Sequence, residues 1–165
     1  MRLKLLFCDR GYSESRRRLG ALLPDCDLVT CDKNDVRAHV RGVDIVIPYG
    51  AAISSDVIKA GTFGLVQQFG VGLETVDVDA ATAAGVWVAR VPSSQTGNAE
   101  SVAEHAILLM LALSRGLCSP HMADALSHGT IGEPAGIALA GKSACIIGLG
   151  GVGSELGLRL QAFRM

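Results

Sequence analysis

The chain has 165 residues, 49% of them apolar and 19% charged, with a formal net charge of −1. That is enough for one packed domain and a piece of a second, and it excludes disorder. A near-neutral balance with 4% aromatic residues offers no field or stacking platform for nucleic acid, and no basic face for an anionic membrane.

The cysteines, Cys8, Cys26, Cys31, Cys118 and Cys145, are odd in number and contain no C-x-x-C pair. Neither a disulfide framework nor a zinc site is expected, and no metal is assigned. The apolar run Leu5–Cys8 is too short for a signal peptide. The longest apolar run, Ala106–Leu113, falls well under the roughly 20 residues that cross a bilayer. A reduced, cytoplasmic protein is expected.

Short runs rich in Val, Ile and Leu read as strands at Leu3–Cys8, Asp27–Thr30, Asp44–Pro48, Leu65–Phe69 and Val86–Val91. Segments of helical character lie between them at Ser13–Leu23, Ser54–Ala60 and Val78–Ala84. This alternation predicts an α/β fold with a flavodoxin-like five-stranded parallel sheet of order 2-1-3-4-5. Pro92–Gly97 reads as a linker. A long helix is predicted from Asn98 to Arg115, with Ser101 and Glu104 as a capping box and Asn98 as a competing cap. It is apolar on every face from Ala106 to Leu113, so a second domain or subunit must cover it.

Residues 116–140 read as an arm. The apolar run Ser143–Ile147 then predicts a buried strand containing Cys145. Gly148-Leu-Gly150-Gly-Val-Gly153 follows, and then a helix with Val152, Leu156, Leu160 and Phe163 on one stripe. In G-x-G-x-x-G the first glycine allows a tight turn, the second lets backbone approach a pyrophosphate, and the third lets helix and strand pack closely. Cofactor contacts are therefore expected at Gly148, Gly150, Gly151, Val152 and Gly153. The acidic residue that distinguishes NAD from NADP belongs about 20 residues further on, and 12 residues follow Gly153. NAD or NADP is expected, with the choice left open.

A second candidate lies earlier. Tyr49-Gly50 and Gly70-Val71-Gly72 follow the third and fourth strands, at the strand ends where open α/β sheets bind ligands. Backbone amides there suit a carboxylate. The competing view is two turns that merely need glycine. Glu104 and His105, adjacent on a helix, point about 100° apart and make no acid/base pair. His121 and His128 lack metal-ligand spacing. Arg16–Arg18 reads as a solvated face.

The stretch Leu65–Leu113 resembles the D-isomer-specific 2-hydroxyacid dehydrogenases, through Gly70-Val-Gly72, Asp77-Val-Asp79-Ala-Ala-Thr82, Gly85 and Ser101-Val-Ala-Glu104-His105. Leu139-Ala-Gly141-Lys142, Ile146-Ile-Gly148-Leu-Gly150-x-x-Gly153 and Ala162-Phe163 fit the same family. The resemblance implies two α/β domains, a substrate domain at 1–96 and a nicotinamide-cofactor domain starting at 141–165, joined by a helix and arm at 97–140. It implies hydride transfer between a small 2-hydroxy or 2-keto acid and NAD(P). It places Tyr49, Gly50, Val71, Gly72 and Asn98 near substrate, and Thr96 and Val102 near cofactor. The family's catalytic Arg, Glu or Asp, and His follow the fingerprint, so no catalytic residue is expected here. On this reading the chain is C-terminally truncated and inactive alone, and a homodimer through the 98–115 helix is expected. The alternative is a non-catalytic dimerisation or small-acid-binding module of the same fold. Residues 141–165 are expected to pack poorly without a partner, since a lone strand leaves both edges and Ala144, Ile146 and Ile147 uncovered.

Overall fold

The computed structural model describes residues 2–117, 119, 124, 127–128 and 136–165. Cys118 and His121 lie outside the described residues. The chain divides into two compact units, Met1–Pro92 and Ser93–Met165.

The first unit is built on five short strands: β1 (Lys4–Phe7), β2 (Asp27–Thr30), β3 (Ile45–Ile47), β4 (Leu65–Gln67) and β5 (Trp87–Ala89). They form one parallel sheet in the order β2-β1-β3-β4-β5, as expected. Helices α1 (Ser13–Leu22), α3 (Ser55–Ala60) and α4 (Val78–Ala83) fall where the periodicity puts them. A one-turn helix, α2 (Val36–His39), fills the crossover between β2 and β3.

Register explains the core. Val29, Leu6, Val46, Val66 and Val88 stand side by side across the sheet. They point to one face, where Val36 and Val40, Val57 and Ile58, and Ala81 close the layer. Leu5 and Phe7 point to the other face, where Leu19 of α1 covers them. Both faces are therefore dressed with helices, which explains why the strands are apolar without alternation. Full burial of side chains such as Phe7, Leu6 and Val46 stabilises the unit by roughly 1.5–3 kcal/mol each. The expected solvated face of α1 is present: Arg17 and Arg18 both reach the Glu14 carboxylate at 2.8 Å, on exposed side chains.

The second unit contains α5 (Asn98–Ser114) and α6 (Gly151–Ala162), which lie against each other. Arg159 of α6 reaches Glu104 of α5 at 3.3 Å and Glu155 at 2.5 Å. Buried Ala99 and Ala103 of α5 and Leu160 of α6 belong to this unit's packing.

Three expectations need correction here. The N-cap of α5 is Gly97, at φ +75, and neither Asn98 nor Ser101 caps the helix. Glycine enters the left-handed region without steric cost, so the chain turns into the helix one turn before Ser101, whose amide already donates to Gly97 O at 3.1 Å. Residues 143–147 form no strand, because no neighbouring backbone among the described residues supplies the ladder that a strand requires. Ala144 and Ile147 are uncovered, Ile147 at 98%, and Cys145, expected in a buried strand, is exposed.

Candidate ligand-holding loops

At the carboxyl edge of the sheet, β3 and β4 are hydrogen-bonded neighbours. The loops that follow them are tied again by a parallel bridge between Ile53 and Val76. Ile53 N donates to Thr75 O at 2.8 Å, and Asp77 N donates to Ile53 O at 2.9 Å. Tyr49-Gly50 and Gly70-Val71-Gly72 are thereby brought to one edge.

Tyr49 sits at φ +49 and Gly50 at φ +100. A tyrosine in the left-handed region is strained, and such strain collects at functional sites. Its ring is held by Tyr12, Phe7 and Phe69, with centroids 3.7, 5.5 and 5.5 Å away. Phe7 and Phe69 also meet, at 6.1 Å. This aromatic wall escaped the sequence reading, although Phe7 and Phe69 stand at strand ends where the pattern already placed ligands.

The Gly70–Gly72 loop follows. Carbonyls of all three residues accept hydrogen bonds: Gly70 O from Val91 N at 3.0 Å, Val71 O from Arg90 Nη1 at 3.2 Å, and Gly72 O from Gln68 Nε2 at 2.9 Å. Their amides donate to no acceptor among the described residues. Consecutive open amides are the chemistry of an anion nest. A side chain at position 72 would meet the Glu74 carboxylate, which would have to swing aside.

Two thiols lie behind this edge. Cys8 and Cys31 follow β1 and β2 and are fully buried. Burial, and then the neighbouring Cys31, push the Cys8 thiol far above the ordinary range. Burial likewise raises Cys31. Both are neutral packing groups.

In the second unit the glycine motif has the backbone that its spacing requires. Gly148 turns at φ +94. Space on the side-chain side of Gly150 is open to 4 Å. A Cβ on Gly153 would strike the Gly148 carbonyl oxygen and stand 3.3 Å from Ile146 Cγ2. The turn, the open approach and the close packing fall on the first, second and third glycine. Helix α6 starts at Gly151, and its first amides point out of the helix end with no acceptor of their own. These residues fit an anionic diphosphate. A Cβ on Gly151 would lie 2.9 Å from Ser93 Oγ and 3.4 Å from Ala99 Cβ, so the segment carrying Thr96 and Asn98 runs beside the motif. Val102 is exposed one turn along α5.

Glu104 pairs with Arg159 and not with the exposed His105. His128 Nδ1 meets Asp124 Oδ1 at 3.2 Å. Among the described residues no cluster of three ligands could hold a metal, and no helix is long and apolar enough to cross a membrane.

Comparison with known proteins follows the same lines. The family model of the D-isomer specific 2-hydroxyacid dehydrogenase catalytic domain matches residues 9–157. A D-3-phosphoglycerate dehydrogenase of Mycobacterium leprae is 36% identical over 137 residues, covering 80% of this chain and 25% of the relative. The hydroxypyruvate reductase of Thermotoga maritima is 33% identical over 141 residues, covering 81% and 44%. The solved NAD-dependent formate dehydrogenase of Staphylococcus aureus, in complex with NAD, has a TM-score of 0.71 at 24% identity, covering 99% of this chain and 54% of that one. The chain thus spans less than half the length of these two curated relatives.

Proposed function

The chain belongs to the D-isomer specific 2-hydroxyacid dehydrogenases, and from that premise we propose that it serves the interconversion of a small 2-hydroxy acid and its 2-keto acid, with NAD or NADP as hydride carrier. The observation that carries this reading is the pairing of two glycine loops. One is an anion nest at the carboxyl edge of a parallel sheet, and the other is a strictly packed dinucleotide turn.

On this reading Val71 and Gly72 donate their amides to the substrate carboxylate. Tyr49 and Gly50 bound its other end, and by resemblance Asn98 matches a position that some family members hold near substrate and nicotinamide. Gly148, Gly150, Gly151, Val152 and Gly153 hold the pyrophosphate, with Thr96 and Val102 lining the cofactor's approach. The nicotinamide supplies or accepts the hydride. Residues 1–96 serve as the substrate portion, 97–140 as linking helix and arm, and 141–165 as the start of the cofactor portion. By resemblance, the arginine, carboxylate and histidine that polarise and protonate the keto oxygen belong after the fingerprint. The 165 residues by themselves are then expected to oxidise no NADH with glyoxylate or hydroxypyruvate. A reduced cytoplasmic setting suits the free thiols Cys8, Cys26, Cys31 and Cys145.

A chimera tests the activity. Residues 1–153 are joined to the portion of the Thermotoga maritima hydroxypyruvate reductase that follows its matching glycine. The expected result is 2-keto-acid-dependent loss of NADH absorbance. A folded chimera that binds NADH yet reduces none of these acids contradicts the proposal and favours the non-catalytic module.

One observation supports a homodimer in either case. Leu108, Leu109 and Leu113 of α5 are exposed, Leu113 at 77%. A contiguous apolar helix face of this kind suits a subunit interface. Sedimentation of the purified chain is expected to show a dimer, and a Leu109→Glu/Leu113→Glu variant a monomer.

A further inference from the structure

Gln68 is the one buried polar side chain among the described residues, 8% exposed. A buried carboxamide is costly unless both ends are paired. Here Oε1 accepts from Phe69 N at 3.1 Å, and Nε2 donates to Gly72 O at 2.9 Å. The side chain therefore bridges from Phe69, just before the loop, to Gly72, its last residue. Arg90, just past β5, donates from Nη1 to the middle carbonyl, Val71 O, at 3.2 Å, and Val91 N takes the remaining one, Gly70 O. Each carbonyl of Gly70–Gly72 is thus held by its own donor from this unit. In a peptide unit the amide points opposite to the carbonyl. Fixing each carbonyl fixes the amide of its own peptide unit: Val91 N fixes that of Val71, Arg90 that of Gly72 and Gln68 that of Leu73, and no acceptor among the described residues meets any of the three.

We infer that Gln68 and Arg90 are positioning residues: through Gly72 O and Val71 O their side chains hold the Leu73 and Gly72 amides, and with them the loop, in the orientation that receives a 2-keto-acid carboxylate. They touch the loop's carbonyl side and act through the backbone. The inference rests on the carboxylate role given to this loop above. A loop of two glycines and a valine has no side chains of its own to hold that orientation, and Gly72 in particular is conformationally permissive. Without the two donors the amides spend much of their time turned away.

The test is a titration of the 15N-labelled chain with pyruvate, read at the amides of Val71, Gly72 and Leu73, alongside thermal unfolding. Gln68→Met keeps volume, changes no charge and removes both side-chain hydrogen bonds. Arg90→Met removes the donor from an exposed side chain, and Arg90→Lys keeps a charged one. Each Met variant is expected to raise the pyruvate Kd about fivefold, the worth of one loop-holding hydrogen bond, with the β1, β3 and β4 amides unshifted and Tm little changed. Arg90→Lys is expected to recover most of the affinity. An unchanged Kd in the folded Met variants overturns the inference and leaves the carboxylate reading intact, as does a Kd that moves only in step with a lowered Tm. If Gln68→Met does not fold, the Arg90 pair decides by the same criteria. If pyruvate shifts no amide of the loop in the unsubstituted chain, the carboxylate reading falls and this inference with it.

Discussion

A methyl group is the smallest probe of the dinucleotide turn. At Gly150 it meets open space, whereas at Gly153 it meets the Gly148 carbonyl oxygen. Gly153→Ala is therefore expected to destabilise the second unit by about 1–3 kcal/mol, the usual cost of overpacking, while Gly150→Ala leaves the fold in place and weakens the binding of NADH. Urea midpoints and NADH titrations of the two variants check this; equal urea midpoints for both would contradict the close-packing role. A different residue governs alkaline behaviour. Burial raises the Cys8 thiol above its ordinary value of about 8.5, so the folded chain holds this proton more tightly than the unfolded one. The resulting stability is fully present below that value and is lost as pH rises toward the folded one. The urea midpoint is expected to fall as pH rises above about 8.5, and Cys8→Ala to lessen that fall, with Cys31 contributing the same way. A slope of the same size in the variant would show that other groups cause it. Gln68 and Arg90 show why residue roles resist a reading of the sequence alone. Each acts through a bond to a carbonyl four or nineteen positions away along the chain, and residue type does not disclose such a bond.

The elements were legible where local pattern and tertiary need agree. Val, Ile and Leu runs bounded by Gly, Pro and Asp mark all five strands of the first sheet, and their short connections fix neighbours well enough to yield the order β2-β1-β3-β4-β5. α2 has four residues, fewer than a period pattern needs. α5 starts at Asn98 as the pattern places it, but its cap was misassigned because Ser101 and Glu104 match a capping pattern in type, whereas the chain's entry is decided by the backbone of Gly97. The run 143–147 carries strand composition, but strandedness requires a partner, and its backbone has none among the described residues. Hydrogen exchange therefore separates the two apolar runs. Amides of β4, between β3 and β5, are expected to exchange far more slowly than those of residues 143–147, since exposed, unbonded backbone opens at almost no cost. Protection of 143–147 equal to that of Leu65–Gln67 would contradict the unpaired arrangement.

At the scale of the whole molecule, the proposed function gives each unit one ligand. On the proposed reading, the acid belongs to the loops at the carboxyl edge of the first sheet, and the dinucleotide to the start of α6. Family membership and the two glycine loops support the same division, and neither loop alone would identify a reaction. The most direct test is a pair of titrations on one 15N-labelled sample of the 165-residue chain, first with pyruvate and then with NADH. Pyruvate is predicted to shift the amides of Val71 and Gly72 and leave those of Gly150–Gly153 in place. NADH is predicted to shift Gly150, Gly151 and Val152 and spare the Gly70–Gly72 loop. Shifts from both ligands at one loop, or at neither, would contradict the assignment.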